Sequence, residues 1–231
     1  MNFFITKTFA RQLLFILLLT AGNTYSQRFK PGVIAGFVAT DQVGVDPLDN
    51  DFHKAGFTLG GLLNTKLSEK NSIQFEILYV QKGSLQPGDS LNNYNFYKLS
   101  LDYIEVPLMF RHNVKFNMNK KPVDRFYIEA GPSFGRLVRT YINNNGIIST
   151  AGNFKNNELA LNLGIGFTIV NNLSFNLRYS SSIIPVVVHP LQVDRFIWYT
   201  FNKGDNVVFS FSLRYIFDRE SRRETKKPDE S

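Results

Sequence analysis

The sequence predicts an all-β fold, an eight-stranded antiparallel up-and-down transmembrane β-barrel. Three observations carry that reading: an apolar period of two that recurs along the chain, links that alternate between short and long, and charges confined to one face of each strand. The composition agrees. The chain has 22 Phe and 10 Tyr in 231 residues, yet only 19% of its residues are charged, below the roughly 25% usual for soluble domains. There is no cysteine, which excludes disulfides, thiolate chemistry and Cys-based metal sites.

The first element is not part of the barrel. Lys7 and Arg11 precede an apolar run from Leu13 to Leu19, and Thr24-Tyr25-Ser26 precedes Gln27. A basic start, a short apolar stretch and small residues before a cut make residues 1–26 a signal peptide cleaved after Ser26. The apolar run is too short to span a bilayer as a helix. The net charge of +7 includes Lys7 and Arg11, so the exported remainder is mildly basic.

Residues 27–217 are expected to form the barrel. The clearest strand places Leu159, Leu161, Leu163, Ile165, Phe167 and Ile169 on one face, with Ala160, Asn162, Gly164, Gly166 and Thr168 on the other. Val207, Phe209, Phe211, Leu213, Tyr215 and Phe217 repeat the pattern near the end. Comparable runs are 33–39, 57–63, 73–79, 99–110, 126–130 and 173–179, which makes eight strands. In the run 99–110 the apolar parity changes from odd (Leu99, Leu101, Tyr103) to even (Ile104, Val106, Leu108, Phe110). That change predicts a β-bulge near Tyr103. Pro107, which has no N–H for a ladder, marks the same run as an edge or bulged strand.

The links come in two classes. Ser68-Glu69-Lys70-Asn71 and Asn171-Asn172 are short turn formers, whereas 41–53, 85–96, 138–156 and 181–205 are long and polar or rich in Gly, Pro and Asn. Long extracellular loops at one end and short periplasmic turns at the other are the outer-membrane arrangement. The link 113–123 is longer than a periplasmic turn requires.

A soluble, lipocalin-like barrel would also show eight alternating strands, with its apolar face inward. The polar faces decide against it. They carry small uncharged residues such as Thr58, Gly60, Asn64, Asn162 and Gly164, where a water-facing surface would carry dense Lys and Glu. Small residues fit the narrow interior of eight strands, leaving the apolar face for hydrocarbon. Tyr79, Tyr103, Tyr127, Tyr179, Trp198, Tyr199 and Tyr215 fall near strand ends, as an interfacial aromatic belt requires. Glu76, Glu105, Glu129, Arg178 and Arg214 all take the parity that avoids lipid. They are expected to form an interior ion-pair network that blocks the lumen.

Chemistry-bearing patterns are weak. Asp51 with His53, and Ser180 to Ser182 with His189, fall in the long loops, but no spacing fixes a nucleophile against a base. Phosphate loops, paired-histidine zinc motifs and a complete Ca²⁺ loop around Asp46, Asp49 and Asp51 are absent from the sequence. No catalytic residue, cofactor or metal is therefore expected. No single basic face suggests nucleic acid. Residues 218–231 alternate acids and bases without apolar residues to bury and are expected to be a disordered periplasmic tail.

Five segments resemble the PorT-like outer-membrane β-barrel family of Gram-negative bacteria: KAGFTLGGL (54–62), ILYVQKGS (77–84), LDYIEVPLMFR (101–111), FYIEAGPSFG (126–135) and LGIGFTI (163–169). The most specific are Tyr-Ile-Glu-Val-Pro at 103–107 and Glu-Ala-Gly-Pro at 129–132. Leu213, Tyr215 and Phe217 resemble the terminal strand signal read by barrel-assembly machinery, although fourteen residues follow Phe217. The resemblance implies a closed barrel in the cell outer membrane, with Pro107 as a built-in bend of the fourth strand. For the founding member it implies a role in assembling a type IX secretion system. The expected partners are outer-membrane lipids, the assembly machinery during insertion and secretion-system proteins. The function expected is non-enzymatic, by protein contact. The alternatives are a rim enzyme hydrolysing lipid or peptide, and a small ligand-binding barrel.

Overall fold

The computed structural model describes residues 29–42, 54–88, 90, 93–118, 121–150, 154–170, 172–187 and 205–217. The expected signal segment, the charged tail, the loop acids Asp46, Asp49 and Asp51, both His53 and His189, and Trp198 and Tyr199 of the expected belt lie outside the described residues.

Ten strands follow in order: β1 (Lys30–Gln42), β2 (Lys54–Lys66), β3 (Asn71–Lys82), β4 (Leu85–Gln86), β5 (Tyr97–Met118), β6 (Lys121–Asn144), β7 (Ile147–Ser149), β8 (Asn157–Val170), β9 (Leu173–Ser182) and β10 (Asn206–Ile216). Eight of them close the barrel, every neighbouring pair antiparallel. Each long strand pairs with the next in sequence, and β10 returns to β1 with Phe211 opposite Phe37. The expected fold is therefore present. Closure leaves no unpaired edge, which is the condition for β-structure in hydrocarbon.

The two faces divide as the period of two requires. Phe37, Leu59, Ile77, Leu108, Leu163, Phe211 and Leu213 are exposed on the outside, while Gln74, Glu76, Glu129, Asn162, Asn176 and Arg214 are buried inside. Ile34, Val38, Leu62, Leu78, Val80 and Val208 pack together on the inner side of β1–β3 and β10. Polar residues on the remaining walls face them.

The short strands extend the barrel beyond the membrane. β4 keeps the register of β3 after an interruption at Gly83, whose φ of 129° suits glycine. β7 folds back on β6 through Asn145-Gly146, both at positive φ, the geometry of a two-residue hairpin turn. Upper β5 and β6 thus stand in a four-stranded sheet. On it Leu99, Leu101 and Tyr103 pack with Leu137, Ile142 and Phe154.

Four expectations change. Tyr103 and Tyr127 are not part of an aromatic belt, because both are buried on the inner face. The register shift does fall at Asp102/Tyr103, but the extra residue is Val138 in β6. β5 keeps one parity throughout, with Leu99, Leu101, Tyr103, Glu105, Met109 and Arg111 all buried. The apparent switch arises because the inner face turns apolar where the strand leaves the membrane. Pro107 does not sit on an edge, because β5 is paired on both sides. The β3–β5 ladder instead lapses at Val106-Pro107 and resumes in unchanged register, which fits the missing N–H. Finally, 113–123 is no loose link. β5 continues to Met118 and β6 starts at Lys121, so the two form a hairpin that runs past the barrel end.

Gly166 gives this packing a test, because a Cβ there would collide with the Tyr127 ring, whereas a Cβ on Gly61 would meet nothing closer than Gly32 O at 3.8 Å. Gly166→Ala is expected to lower stability by about 1–3 kcal/mol in urea unfolding. Gly61→Ala should change it by less than about 0.5 kcal/mol.

Candidate functional site

The barrel interior holds two charge clusters. In the lower one, Arg178 on β9 reaches across to Glu76 on β3, with Nη1–Oε2 and Nη2–Oε1 distances of 2.8 Å each. The same guanidinium donates to Glu129 on β6 from Nε at 2.9 Å and Nη2 at 2.7 Å. Arg214 on β10 takes the rest of that carboxylate, at 2.7 and 3.0 Å, and also donates to Asn176 Oδ1 at 2.7 Å. Arg111 Nη2 lies 3.4 Å from Glu129 Oε2, and its guanidinium sits 4.1 Å from the Tyr127 ring centroid. Gln74 Nε2 donates to Glu76. Paired forks of this kind are the strongest charge-assisted geometry.

Local sequence makes the room. Gly164 lies directly beside the Glu129 side chain and Gly166 beside Tyr127, so the glycines of β8 form the floor on which the cluster rests. A larger residue at either place would push the carboxylate or the ring into the arginines.

The upper cluster is separate. Lys82, at the end of β3, pairs with Glu105 on β5 and with Glu158 on β8, the latter at 2.9 Å. Ser182 Oγ donates to Glu158, and Asn206 Nδ2 reaches Glu158 Oε1 at 3.2 Å and Tyr103 Oη at 3.4 Å. The Lys82 ammonium also lies 5.0 Å from the Tyr103 ring centroid. A cavity of about 30 Å³, lined among others by Glu76, Lys82, Glu105 and Asn162, separates the clusters. That is room for about one water.

Of the residues singled out from sequence, Glu76, Glu129, Arg178 and Arg214 come together, while Glu105 belongs with Lys82 and Glu158. Lys82, Arg111 and Glu158 were missed, as were Gln74 and Asn176. The lower cluster carries three arginines to two glutamates and the upper one lysine to two, so their excess charges are opposite and balance. Ser182 is engaged by Glu158, and Ser180 and Ser181 are buried. His112, facing outward, has Nδ1 2.7 Å from Asn71 Oδ1. Leu213 and Tyr215 face outward, and Phe217 N donates to Pro31 O at 2.7 Å, tying the chain end to the start of β1. Among the described residues no group of three or more His, Asp or Glu is arranged to hold a metal ion.

A family model described as outer membrane protein beta-barrel domain matches residues 20–188. The chain belongs to that family. It is an outer-membrane β-barrel protein, and the ion-filled interior is the interior of that barrel. Solved structures similar to it include Ail, the attachment invasion locus protein of Yersinia pestis, at 13% identity over 82% of this chain and 99% of that one, with a TM-score of 0.46. Neisserial surface protein A is similar at 12% identity over 82% and 97%, with a TM-score of 0.43. OprG from Pseudomonas aeruginosa is similar at 11% over 83% and 97%, with a TM-score of 0.40. No match is found among curated protein sequences.

Arg178→Leu would leave Glu76, which is fully buried, without its paired fork. The expected cost is about 3–5 kcal/mol, visible as a lower temperature at which the barrel loses its compact electrophoretic mobility in detergent. Leu at Arg125, an exposed position, should leave that temperature nearly unchanged.

Proposed function

We infer that this barrel works without catalysis and without a pore, by protein contact at its two ends. The observation that carries the reading is the filled interior. Glu76, Glu129, Arg178 and Arg214 bridge β3, β6, β9 and β10 across the lumen, and the cavity above them has room for about one water. Eight strands leave little lumen in any case. Ions or a small ligand would have to break buried pairs to pass.

What the barrel offers to a partner is at the ends. With the long loops taken as extracellular, the sheet of β4, upper β5, upper β6 and β7 projects outward and displays Tyr94, Ile147 and Ile148, each more than 60% exposed. The β5–β6 hairpin projects into the periplasm. An accessory role in assembling a secretion system is the specific form of this reading. It rests on the YIEVP and EAGP elements that resemble the PorT-like family.

In planar bilayers the purified barrel should give no discrete conductance steps, and steady single-channel conductance would overturn the sealed-lumen reading. Photo-crosslinking residues placed at Ile148 and at Asn117 in intact cells should capture protein partners, with secretion-machinery components at Asn117. Absence of protein adducts at both positions would overturn contact at the ends.

A further inference from the structure

The outer wall formed by β5, β6 and β8 carries two features of note, the second of which reaches onto β9 and β10. At its extracellular end it carries outward-facing cations: Lys98 on β5, with Arg136 and Arg139 on β6, all exposed. Asp102, directly opposite Arg139, is the one acid in this patch among the described residues. Arg136 stands opposite Ile104 on one side and Asn157, the first residue of β8, on the other. Its Nη1 donates to Asn157 Oδ1 at 2.7 Å.

Lower on the same wall lies an apolar groove of about 390 Å³, lined by Phe110, Ala130, Leu163, Ile165, Leu177 and Tyr179 among others. Phe110, Ala130, Leu163 and Tyr179 are opposite one another on successive strands. Ala130 is the small member of that row, so it forms the dent.

These two features lie on one strand face. Arg136, Phe134, Pro132 and Ala130 share the outward parity of β6, and the exposed Phe134, Leu159 and Leu161 line the path between. Six residues of strand separate Arg136 from Ala130, about 20 Å at the rise of a β-strand. That separation suits an acyl chain hanging from a headgroup. A lipid-facing Arg costs about 2–4 kcal/mol at the midplane but little near the interface, so Arg136 and Arg139 belong at the level of lipid headgroups. There a guanidinium binds phosphate through paired hydrogen bonds.

We propose that this wall is a binding site for one phosphorylated glycolipid of the outer leaflet, with its phosphate on Arg136 and Arg139 and one acyl chain lying along β6 into the groove at Ala130. The site rests on the extracellular placement of the long loops used above. It is independent of whether the lumen is sealed or the ends bind protein. Lys98 adds to the field at the headgroup without a place in the groove.

The test is native mass spectrometry of the full-length mature barrel released from detergent after incubation with diphosphoryl lipid A, with its dephosphorylated form and with phosphatidylglycerol. The expected result is one retained lipid A per barrel, with weaker retention of the other two. Arg136→Gln with Arg139→Gln should weaken lipid A by roughly tenfold or more, the loss expected for charge-assisted bonds. Ala130→Phe, which fills the groove, should weaken all three lipids. The surface arginine pair keeps the test informative if the groove variant does not fold, and compact electrophoretic mobility reports folding in each case. Equal retention of lipid A by the wild type and the arginine variant would overturn the site. Retention of phosphatidylglycerol as strong as that of lipid A would overturn the glycolipid assignment.

Discussion

Glu129 receives Arg178 and Arg214 and faces Arg111, and much of the barrel is arranged so that this carboxylate can exist where it does. A buried charge without partners would cost several kcal/mol. Three cations around two carboxylates answer that cost with opposite charge and paired hydrogen bonds, while Arg111 Nε and Arg214 Nε stay without a partner. The pairs join β3, β5, β6, β9 and β10, strands far apart in sequence, so the network forms only in the closed barrel. It therefore favours closure over open or misregistered sheets. A one-residue slip of any of these strands would send its own charge into lipid.

The backbone is bent to the same purpose. Pro107 removes a donor from β5 beside Glu76 on β3, and Pro132 stands where the β5–β6 ladder lapses at Leu108-Met109. Both interruptions leave the register intact, so they loosen the sheet without shifting the charges. Two register shifts, at Val114/Phe116 and Thr168/Val170, fall toward the other strand ends, and the one at Val138 lies above the level of the charges. There the inner face has already become apolar, and a change of parity in β6 moves Thr140 and Ile142 inward beside Leu101 and Leu99.

The period of two made the strand count, the closure and the lipid-facing side legible in the sequence, because a membrane barrel enforces alternation along every spanning residue. It also placed Glu76, Glu129, Arg178 and Arg214 on the inner face. What it could not supply was partner choice. Glu105 has the same parity as Glu129 yet joins Lys82 and Glu158, since strand tilt and register put it in a higher layer. Lys82, Arg111 and Glu158 were missed for one reason: each sits one to three positions beyond the end of an apolar run. Their parity matches that of the inner residues, so extending each run in phase would have found them. The β6–β7 hairpin had a local signal of its own in Asn145-Gly146.

The balance of charge between the layers has a consequence for where this protein can act. The lower cluster carries an excess positive charge and the upper an excess negative one, so each stabilises the other across the small cavity. A path through both layers would have to break pairs in each. Under the proposed sealed-lumen reading, a lumen held from two levels resists gating by any single loop movement, which leaves change of shape to the parts outside it. Among the described residues those parts are the upper sheet of β5 and β6 and the hairpin at their other end, both extensions of the same two strands. Because β5 and β6 also carry Arg111, Glu105 and Glu129, the two ends are joined through strands tied into both charge layers. A contact at one end is thus anchored to strands that carry the interior charges.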